Sequence, residues 1–324
     1  MRPRIPLVAG AALLALSACN AHSPDAPQAK VPDPPALGPT PVITDPGQIT
    51  LPTDSYLPTA AKVSQIQQAK DAVTAQCMRK FGFTFRGTLV MDLATTPGRS
   101  PREQSTVYGD FDVAGVKVHG YNRNIDGAAA MNQEMALRGE SSAQQEPVTP
   151  EYQEALTGND PNTRQPVKTV AGQPVPAGGC SAAGNAALGN LAVGTTTTVL
   201  PDGGPVVPRT DARLVAAFAK WSACMKSKGY NYPDPIAAIS DQKWNPAGGR
   251  NAAVPVASPE EIAVATADIQ CKLDNNTVGV AVAVQTVYAK QYIETHVTQL
   301  AAFQKQLDDT LAKAAQLIAG GGGS

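Results

Sequence analysis

A nine-residue motif occurs twice in the chain, as CMRKFGFTF at 77–85 and as CMKSKGYNY at 224–232. Both copies follow the pattern Cys-Met-(Arg/Lys)-x-x-Gly-aromatic-x-aromatic. Glycine readily adopts the left-handed conformation that ends many helices, and alternating aromatic residues are typical of a strand. The repeat therefore predicts two copies of one unit: a helix that carries a cysteine into the core, a glycine that ends it, and a short aromatic strand.

Apolar side chains recur at helical spacing before each glycine. The positions are Ile66, Ala69, Val73, Cys77 and Phe81 in the first copy, and Leu214, Phe218, Trp221, Cys224 and Met225 in the second. Steps of three and four residues bring side chains to one face of a helix. Each cysteine of the repeat is therefore expected to face the core.

The cysteine count fits a disulfide framework. One of the five cysteines, Cys19, lies in the leader described below, and the other four allow three pairings. The repeat favours Cys77–Cys180 and Cys224–Cys271, one bridge for each copy. In the chain-entropy treatment each bridge contributes about 4–5 kcal/mol to stability. A Cys77–Cys224 bridge would instead mean that the two copies pack against each other.

A metal site or a redox pair is the rival interpretation of the cysteines. The sequence contains no C-x-x-C, and its three histidines, His22, His119 and His296, show no ligand spacing. The sequence therefore predicts neither a metal nor another cofactor.

The first residues resemble an export signal. Arg2 and Arg4 precede an apolar run, LVAGAALLAL, that is too short to span a bilayer. The run ends in Leu16-Ser17-Ala18-Cys19, which resembles the bacterial lipobox. The resemblance implies that Cys19 receives a diacylglyceryl group and becomes the first residue of the mature chain. Two acyl chains on one residue give stable membrane anchoring. A plain signal peptide with a chance cysteine is the alternative.

The charge composition argues against one class of partner, the nucleic acids. Without Arg2 and Arg4, the 26 basic residues fall to 24 against 27 acidic residues, which gives a formal net charge of −3. Nucleic-acid binding calls for a basic surface, so no nucleic-acid partner is expected. Ten prolines lie between residues 20 and 58 with no apolar period. Such a segment predicts a disordered tether, about 120 Å long if it were fully extended as polyproline II.

The predicted fold class is helix-rich α+β, with two disulfide-stapled halves, short β elements and a long C-terminal helix. Thr149, Pro150 and Gly158 bound one helix, and Ser258 with Glu261 forms a capping box at the start of another. The predicted segments are a signal peptide at 1–18, a tether at 19–58, a first half at 59–193, a linker at 194–209, a second half at 210–319 and a tail at 320–324.

The C-terminal segment carries a long apolar stripe. Its members are Ile293, Val297, Leu300, Phe303, Leu307, Leu311, Ala314 and Ile318. This spacing predicts a helix from about 278 to 319, on the order of 60 Å long. The stripe either packs inside the chain or presents residues 303–318 to a partner.

The cysteine repeats belong to a wider pattern: LPTDSYLP, CMRKFGF, VYGDFDVAGVKVHGY, PAGGC, CMKSKGYNYPDP and SPEEIAVATADIQCK. This pattern is similar to a group of uncharacterised actinobacterial lipoproteins and secreted proteins, over most of residues 51–319. The resemblance implies an exported envelope protein. It implies no activity and no functional residues beyond the cysteines.

Few residues suggest chemistry. His119, expected in an edge strand, and His296, expected in the C-terminal helix, are the candidate bases, and both fit a surface or partly buried role better. The acidic pairs Glu260-Glu261 and Asp308-Asp309 fit solvated helix faces.

Two other groups of residues suggest binding. Asn122, Asn124 and Asp126 begin like a calcium loop, but Gln133 replaces the bidentate glutamate. A polar turn with Asp126 as a helix cap is the favoured interpretation. The aromatic residues Trp221, Tyr230, Tyr232 and Trp244 are the candidates for a sugar-stacking platform. Trp221 fits the core better, whereas Trp244 lies in a loop-like context.

These observations favour a lipid-anchored extracytoplasmic envelope protein that binds a protein or cell-wall partner and touches the membrane through the lipid on Cys19. A cell-wall-directed hydrolase is the alternative. The binding subunit of a transporter fits less well, because the βαβ alternation of a two-lobed α/β binder is missing.

Overall fold

Helices dominate the computed structural model, which describes residues 34–85, 87, 102, 104–121, 148–191, 200–244 and 257–321. The helices of this part of the chain are α1 (Ala60–Arg79), α2 (Val116–His119), α3 (Pro150–Thr157), α4 (Gly179–Ala187), α5 (Ala212–Ser227), α6 (Pro235–Ile239), α7 (Pro259–Asp274), α8 (Thr277–Thr295) and α9 (Val297–Gly321). The strands form two antiparallel hairpins, β1 (Gln104–Ser105) with β2 (Gly109–Asp110) and β3 (Thr169–Val170) with β4 (Gln173–Pro174). The helix-rich α+β prediction is confirmed.

The two cysteine repeats end their helices in the same way. Gly82 (φ +82°) follows α1 and Gly229 (φ +89°) follows α5. Phe83 N donates to the Met78 carbonyl at 3.1 Å, and Tyr230 N donates to the Met225 carbonyl at 3.0 Å. This bond, from the residue after the glycine back into the last helical turn, is the mark of a Schellman motif.

The aromatic strand predicted after each glycine is wrong. Residues 83–85 and 230–232 are described, and neither run lies in a strand. The alternating aromatic rings serve packing instead. Phe83 lies edge-on to Tyr152, with the ring centroids 5.4 Å apart, and the Tyr232 ring lies against Trp244 at 6.3 Å.

Two disulfides connect the helices to their surroundings. Cys77 at the end of α1 bonds to Cys180 in α4, with Cα atoms 5.5 Å apart. Cys224 in α5 bonds to Cys271 in α7, with Cα atoms 5.7 Å apart. These are the pairs that the repeat favours, and each bridge fixes one cysteine-carrying helix to a second helix.

Two groups of helices surround the bridges. In the first group α1 packs against α4 and α9, and α4 also packs against α3. In the second group α5 packs against α7 and α8, α2 packs against α7, and α6 packs against α7 and β2. The largest hydrophobic cluster lies in the second group, around Trp221, Phe111 and Met225.

The predicted halves do not match this packing. Residues 104–121 were assigned to the first half, yet α2 and β2 pack against α7 and α6 of the second. In the opposite sense, α9 was assigned to the second half but packs against α1. The chain therefore crosses between the groups, and residues 35–324 form one compact unit.

The tether prediction does not hold for residues 35–58. Ile43, Ile49 and Thr53 are buried, and short 3₁₀ helices form at Pro46–Gln48 and Pro52–Tyr56. Isolated apolar residues between the prolines dock on the second group, with Ile43 and Ile49 inside its main cluster. We call residues 35–52 the strap.

The long C-terminal helix is interrupted. His296 (φ −122°, ψ 24°) leaves the helical conformation and separates α8 from α9. The predicted long C-terminal helix is confirmed as α9, but it begins at Val297 rather than at about 278. The helix predicted for 278–284 is present in α8. The middle of the α9 stripe is core, because Phe303, Leu307 and Ala314 are buried, whereas Val297 and Ile318 at its two ends are exposed. The buried residues Phe303, Leu307 and Ala314 therefore favour packing inside the chain, the first of the two interpretations of the stripe.

Among the described residues, no helix combines the length and the apolar character needed to cross a membrane.

Candidate functional site

His119 is a buried residue that ends α2, where the sequence predicted an edge strand. Its side chain is 1% exposed. The Nε2 atom lies 2.8 Å from Asp112 Oδ2, and Nδ1 lies 2.9 Å from the carbonyl oxygen of Gly120. A carbonyl oxygen only accepts hydrogen bonds, so both ring nitrogens donate when His119 is an imidazolium. Both ring nitrogens of His119 thus face acceptor atoms inside the protein.

Asp112 is the anion of this pair. Burial raises its pKa, but the hydrogen bonds from His119 and from the Gly115 backbone N–H outweigh burial and hold the pKa of Asp112 below its ordinary value. The Gly115 N–H lies 2.7 Å from Asp112 Oδ1.

Gly115 leaves room for the pair. A Cβ atom at this position would lie 2.3 Å from His119 Nε2 and 2.5 Å from Asp112 Oδ2. Both distances are far below van der Waals contact, so a side chain here would displace the ion pair. Glycine is needed at position 115 for space rather than for backbone conformation.

A second ion pair lies inside α7. Lys272 Nζ is 2.8 Å from Asp268 Oδ2, and both side chains are fully buried. Trp221 Nε1 donates to Asp268 Oδ1 at 2.9 Å, and the Tyr121 hydroxyl donates to Asp268 Oδ2 at 3.1 Å. Lys272 also donates to the backbone carbonyl of Asp110. The pair therefore joins α7, α5 and residues 110–121 through hydrogen bonds inside the core.

The protonation of Asp268 reflects its burial. Burial raises the pKa of Asp268 above its ordinary value, although Lys272 and the hydrogen-bond donors oppose this effect. A buried charge is stable only when it is paired and hydrogen-bonded, and Asp268 has three side-chain donors. The geometry is that of a structural ion pair closed to solvent.

Glu261 differs from the sequence prediction. It was expected with Glu260 on a solvated helix face, but its side chain is buried. Ser258 Oγ accepts from the Glu261 N–H at 3.1 Å, as a helix cap does. The Glu261 carboxylate accepts from the Tyr121 backbone N–H at 3.0 Å, and so helps to attach residues 110–121 to α7. Glu260 is exposed and pairs with Lys243.

The other acidic pair and the second histidine lie at the surface. Asp308 and Asp309 are exposed, as predicted. His296 stacks on Tyr292, with ring centroids 4.2 Å apart. Its Nδ1 atom lies 2.8 Å from the Tyr292 carbonyl oxygen. This is the position of a side chain that caps the last turn of α8.

The aromatic residues do not form an open platform. Trp221 is fully buried, and Trp244, which was expected in a loop, is only 4% exposed. Trp244 Nε1 donates to the Ala238 carbonyl at 2.9 Å, and the Trp244 ring lies against Tyr121 and Tyr232. Both indoles are therefore core residues, and the sugar-stacking hypothesis is contradicted.

The calcium-loop segment from Asn122 to Gln133 lies outside the described residues. Within the part of the chain that the structure describes, no group of three or more His, Cys, Asp or Glu residues is arranged to hold a metal ion.

A cleft of about 830 Å³ lies between the strap and α8. Its floor on α8 includes Val282, Ala283 and Val287, which are buried. Lys290 and Glu294 lie one helical turn apart at one end of the cleft, and both are exposed. This is an open concavity of the size that small-molecule sites have.

The strap is fixed at its start by Arg213. Arg213 Nη1 donates to the Pro35 carbonyl at 2.6 Å. Its Nε and Nη2 atoms donate to the two Asp211 oxygens at 2.8 and 2.6 Å, and the Tyr288 hydroxyl donates to Asp211 at 3.1 Å. The hydrogen bond from Arg213 is the main cause that lowers the pKa of Asp211 to about 2.

A second clamp holds the middle of the strap. Asn276 Nδ2 donates to the Pro41 carbonyl at 2.8 Å, and its Oδ1 accepts from the Ile43 N–H at 3.3 Å. Pro41 approaches α8 at Gly279, where a Cβ atom would lie 2.1 Å from the Pro41 carbonyl oxygen. Two polar clamps and a glycine therefore define where the strap crosses the helix.

The sequence analysis missed the strap and the Asp268–Lys272 pair. The available signal for the pair was an isolated acid and base four residues apart in a helix of small apolar residues. For the strap, the signal was Ile43 and Ile49 among the prolines.

No protein-family model, curated protein or solved structure matches the chain.

Proposed function

We propose that this chain is a lipid-anchored protein of the outer face of the cell membrane that acts by binding rather than by catalysis. Its anchor is the lipid on Cys19, the cysteine of the lipobox-like sequence Leu16-Ser17-Ala18-Cys19. The two disulfides indicate a location outside the cytoplasm, because disulfides persist in oxidising compartments. The lipid anchor and the disulfides both require that the protein is exported from the cytoplasm.

The observation that carries the binding proposal is the cleft between the strap and α8. It is an open concavity among the described residues, and its lining includes no histidine or cysteine. His119, the strongest candidate base, is enclosed with Asp112 and points both ring nitrogens at protein acceptors. A catalytic histidine must reach the substrate's proton, and this geometry favours a structural role over the hydrolase alternative.

The strap shortens the connection to the membrane. Residues 20–34 separate Cys19 from the strap, and 15 residues reach at most about 50 Å at full extension. With a lipid on Cys19 in the membrane, this length sets an upper limit of about 50 Å on the distance from Cys19 to the start of the strap.

Labelling with a fatty-acid analogue in the producing cells tests the anchor. The wild-type protein should incorporate the label and fractionate with membranes, and Cys19→Ser should do neither. The control Ser17→Ala keeps a small residue before the cysteine and should retain the label. Labelling that survives Cys19→Ser would refute the anchor.

A screen of the purified protein against cell-wall polymers tests the binding part. We expect retention on a partner or ligand without turnover. Turnover that is lost in His119→Gln or His296→Gln, with the fold intact, would overturn the proposal in favour of a hydrolase.

A further inference from the structure

The chemistry of the cleft lining points to an aliphatic ligand. The strap side chains that line the cleft are mostly prolines and aliphatic residues, with Gln48 and Thr50 as polar exceptions. On α8 the lining includes the buried Val282, Ala283 and Val287 together with Thr286 and Gln291. No aromatic side chain is among the described residues that line the cleft. Sugar rings and nucleobases depend on stacking surfaces, whereas a saturated hydrocarbon chain needs only apolar contact.

The two charges at the end of the cleft indicate the head group. Lys290 and Glu294 are separated by one turn of α8, so their side chains project from the same face. Both are exposed, and within the described part of the chain neither has an ion-pair partner. A cation and an anion held side by side are complementary to a head group that carries both charges. A carboxylate or a sulfate would meet repulsion from Glu294.

From this arrangement we propose that the cleft binds a single-chain zwitterionic phospholipid, of the class of a lysophosphatidylethanolamine, taken from the membrane leaflet beside the anchor. The acyl chain lies between the strap and α8, the phosphate faces Lys290 and the ammonium group faces Glu294. This inference rests on the proposed anchoring for the source of the ligand, because the short connection keeps the cleft within reach of the leaflet. The cleft volume of about 830 Å³ suits one acyl chain with its head group.

Gly38 offers a way to block the cleft without disturbing the fold. It lines the cleft, and a Cβ atom at this position would meet nothing within 4 Å. A Cβ at position 38 is therefore tolerated, and Gly38→Trp adds a bulky ring to a residue of the cleft wall. Gly320, near the end of α9, also has open space around its Cβ position, so Gly320→Trp is the matched control.

The experiment uses residues 20–324, which contain the whole compact unit of residues 35–324. The protein is incubated with phosphatidylcholine vesicles that contain a minor fraction of 1-palmitoyl-lysophosphatidylethanolamine, separated by flotation, and examined by native mass spectrometry. We expect one lysophospholipid per chain. Palmitic acid and hexadecanol, offered in the same vesicles, should load several times less.

The variants distinguish the contribution of the lipid's acyl chain from that of its head group. Gly38→Trp should reduce loading at least about tenfold, while Gly320→Trp should not change it. Lys290→Ala and Glu294→Ala should each reduce loading about threefold, as expected for exposed ion pairs. Lys220→Ala, a change at an exposed lysine of α5, should have no effect.

Three results would overturn the inference: no bound lipid on the wild type, equal loading of Gly38→Trp, or equal loading of hexadecanol. The anchor is tested separately by the Cys19 labelling. A labelled protein that binds no lysophospholipid would refute this inference alone, and an unlabelled protein that binds one would refute the anchor alone.

Discussion

Removal of the Lys272 charge is the perturbation whose cost the structure defines best. Lys272→Met keeps a side chain of similar length in a fully buried position but deletes the cation that faces Asp268. Asp268 then keeps two side-chain donors, Trp221 Nε1 at 2.9 Å and the Tyr121 hydroxyl at 3.1 Å. The backbone carbonyl of Asp110 loses its contact with Lys272.

The expected cost follows from the burial of the pair. Removing one partner of a buried ion pair costs about 3–5 kcal/mol, because it leaves a buried charge without its counter-ion. The two remaining donors on Asp268 place the expected cost near the lower limit, at about 3 kcal/mol. The double variant Asp268→Asn/Lys272→Met removes both charges and should recover about 2 kcal/mol of that loss.

The cost should depend on pH. Burial raises the pKa of Asp268, and Lys272 opposes that effect, so the pKa of Asp268 rises further in Lys272→Met. A carboxyl with a raised folded-state pKa stabilises the fold fully below its unfolded-state pKa, and that contribution is lost as the pH rises through the folded-state pKa. Lys272→Met should therefore lose less stability at about pH 5 than at about pH 8.

Urea unfolding with the disulfides intact measures these free energies of unfolding at both pH values. The control Lys220→Met changes an exposed lysine of α5 and should stay within about 0.5 kcal/mol of the wild type. A cost below about 1 kcal/mol for Lys272→Met, or the same cost at both pH values, would refute the view of this pair as a closed structural contact.

Three further predictions follow from the packing. Gly115→Ala should lower the free energy of urea unfolding by about 3 kcal/mol, because its Cβ would displace a buried ion pair. The control Gly38→Ala, in open space, should lower it by less than about 1 kcal/mol. Equal losses would contradict the role of space at position 115. The pKa of Asp211 is lowered to about 2, so the stability that this carboxylate contributes is present above about pH 4, and about 2 kcal/mol of it is lost towards pH 2. Arg213→Gln should remove most of that acid sensitivity, measured by thermal unfolding across pH. An unchanged pH profile would show that the strap clamp contributes little. Deletion of residues 303–324 should give an unfolded or aggregated protein by circular dichroism and gel filtration, because the deleted stripe is buried; a folded truncated protein would show that α9 is dispensable.

Local signals in the sequence predicted the parts of the fold that depend on neighbouring residues. The helix ends at Gly82 and Gly229 follow from glycine conformation, and the cap at Thr149 follows from its hydroxyl, which accepts from the Tyr152 N–H. The apolar period before each repeat cysteine likewise predicted α1 and α5. In these places the interactions span only a few positions, so the sequence pattern carries them.

Such local signals could not predict contacts between residues far apart in the sequence. Residues 110–121 join the second group of helices because Tyr121 bonds to Glu261 and Asp268, 140 and 147 residues away. Nothing near Tyr121 in the sequence marks that choice. The break at His296 was hidden for a similar reason, since the apolar stripe continues at helical spacing on both sides of it.

The candidate site was predicted least well, because its two walls come from distant parts of the chain. The strap has the composition of a disordered segment, and only two isoleucines, a few hydrogen bonds and the Gly279 approach fix it on α8. Two of the candidate residues from the sequence, the base His119 and the stacking residue Trp244, are buried instead.

Mass spectrometry of the mature protein, purified from membranes without reduction, tests the central claim most directly. We predict an N-terminal peptide that begins at Cys19 and carries a diacylglyceryl group. We also predict two cross-linked peptide pairs, Cys77 with Cys180 and Cys224 with Cys271. A mature chain whose Cys19 is an unmodified thiol would contradict the membrane-anchored account, and a Cys77–Cys224 cross-link would contradict the fold on which the cleft depends.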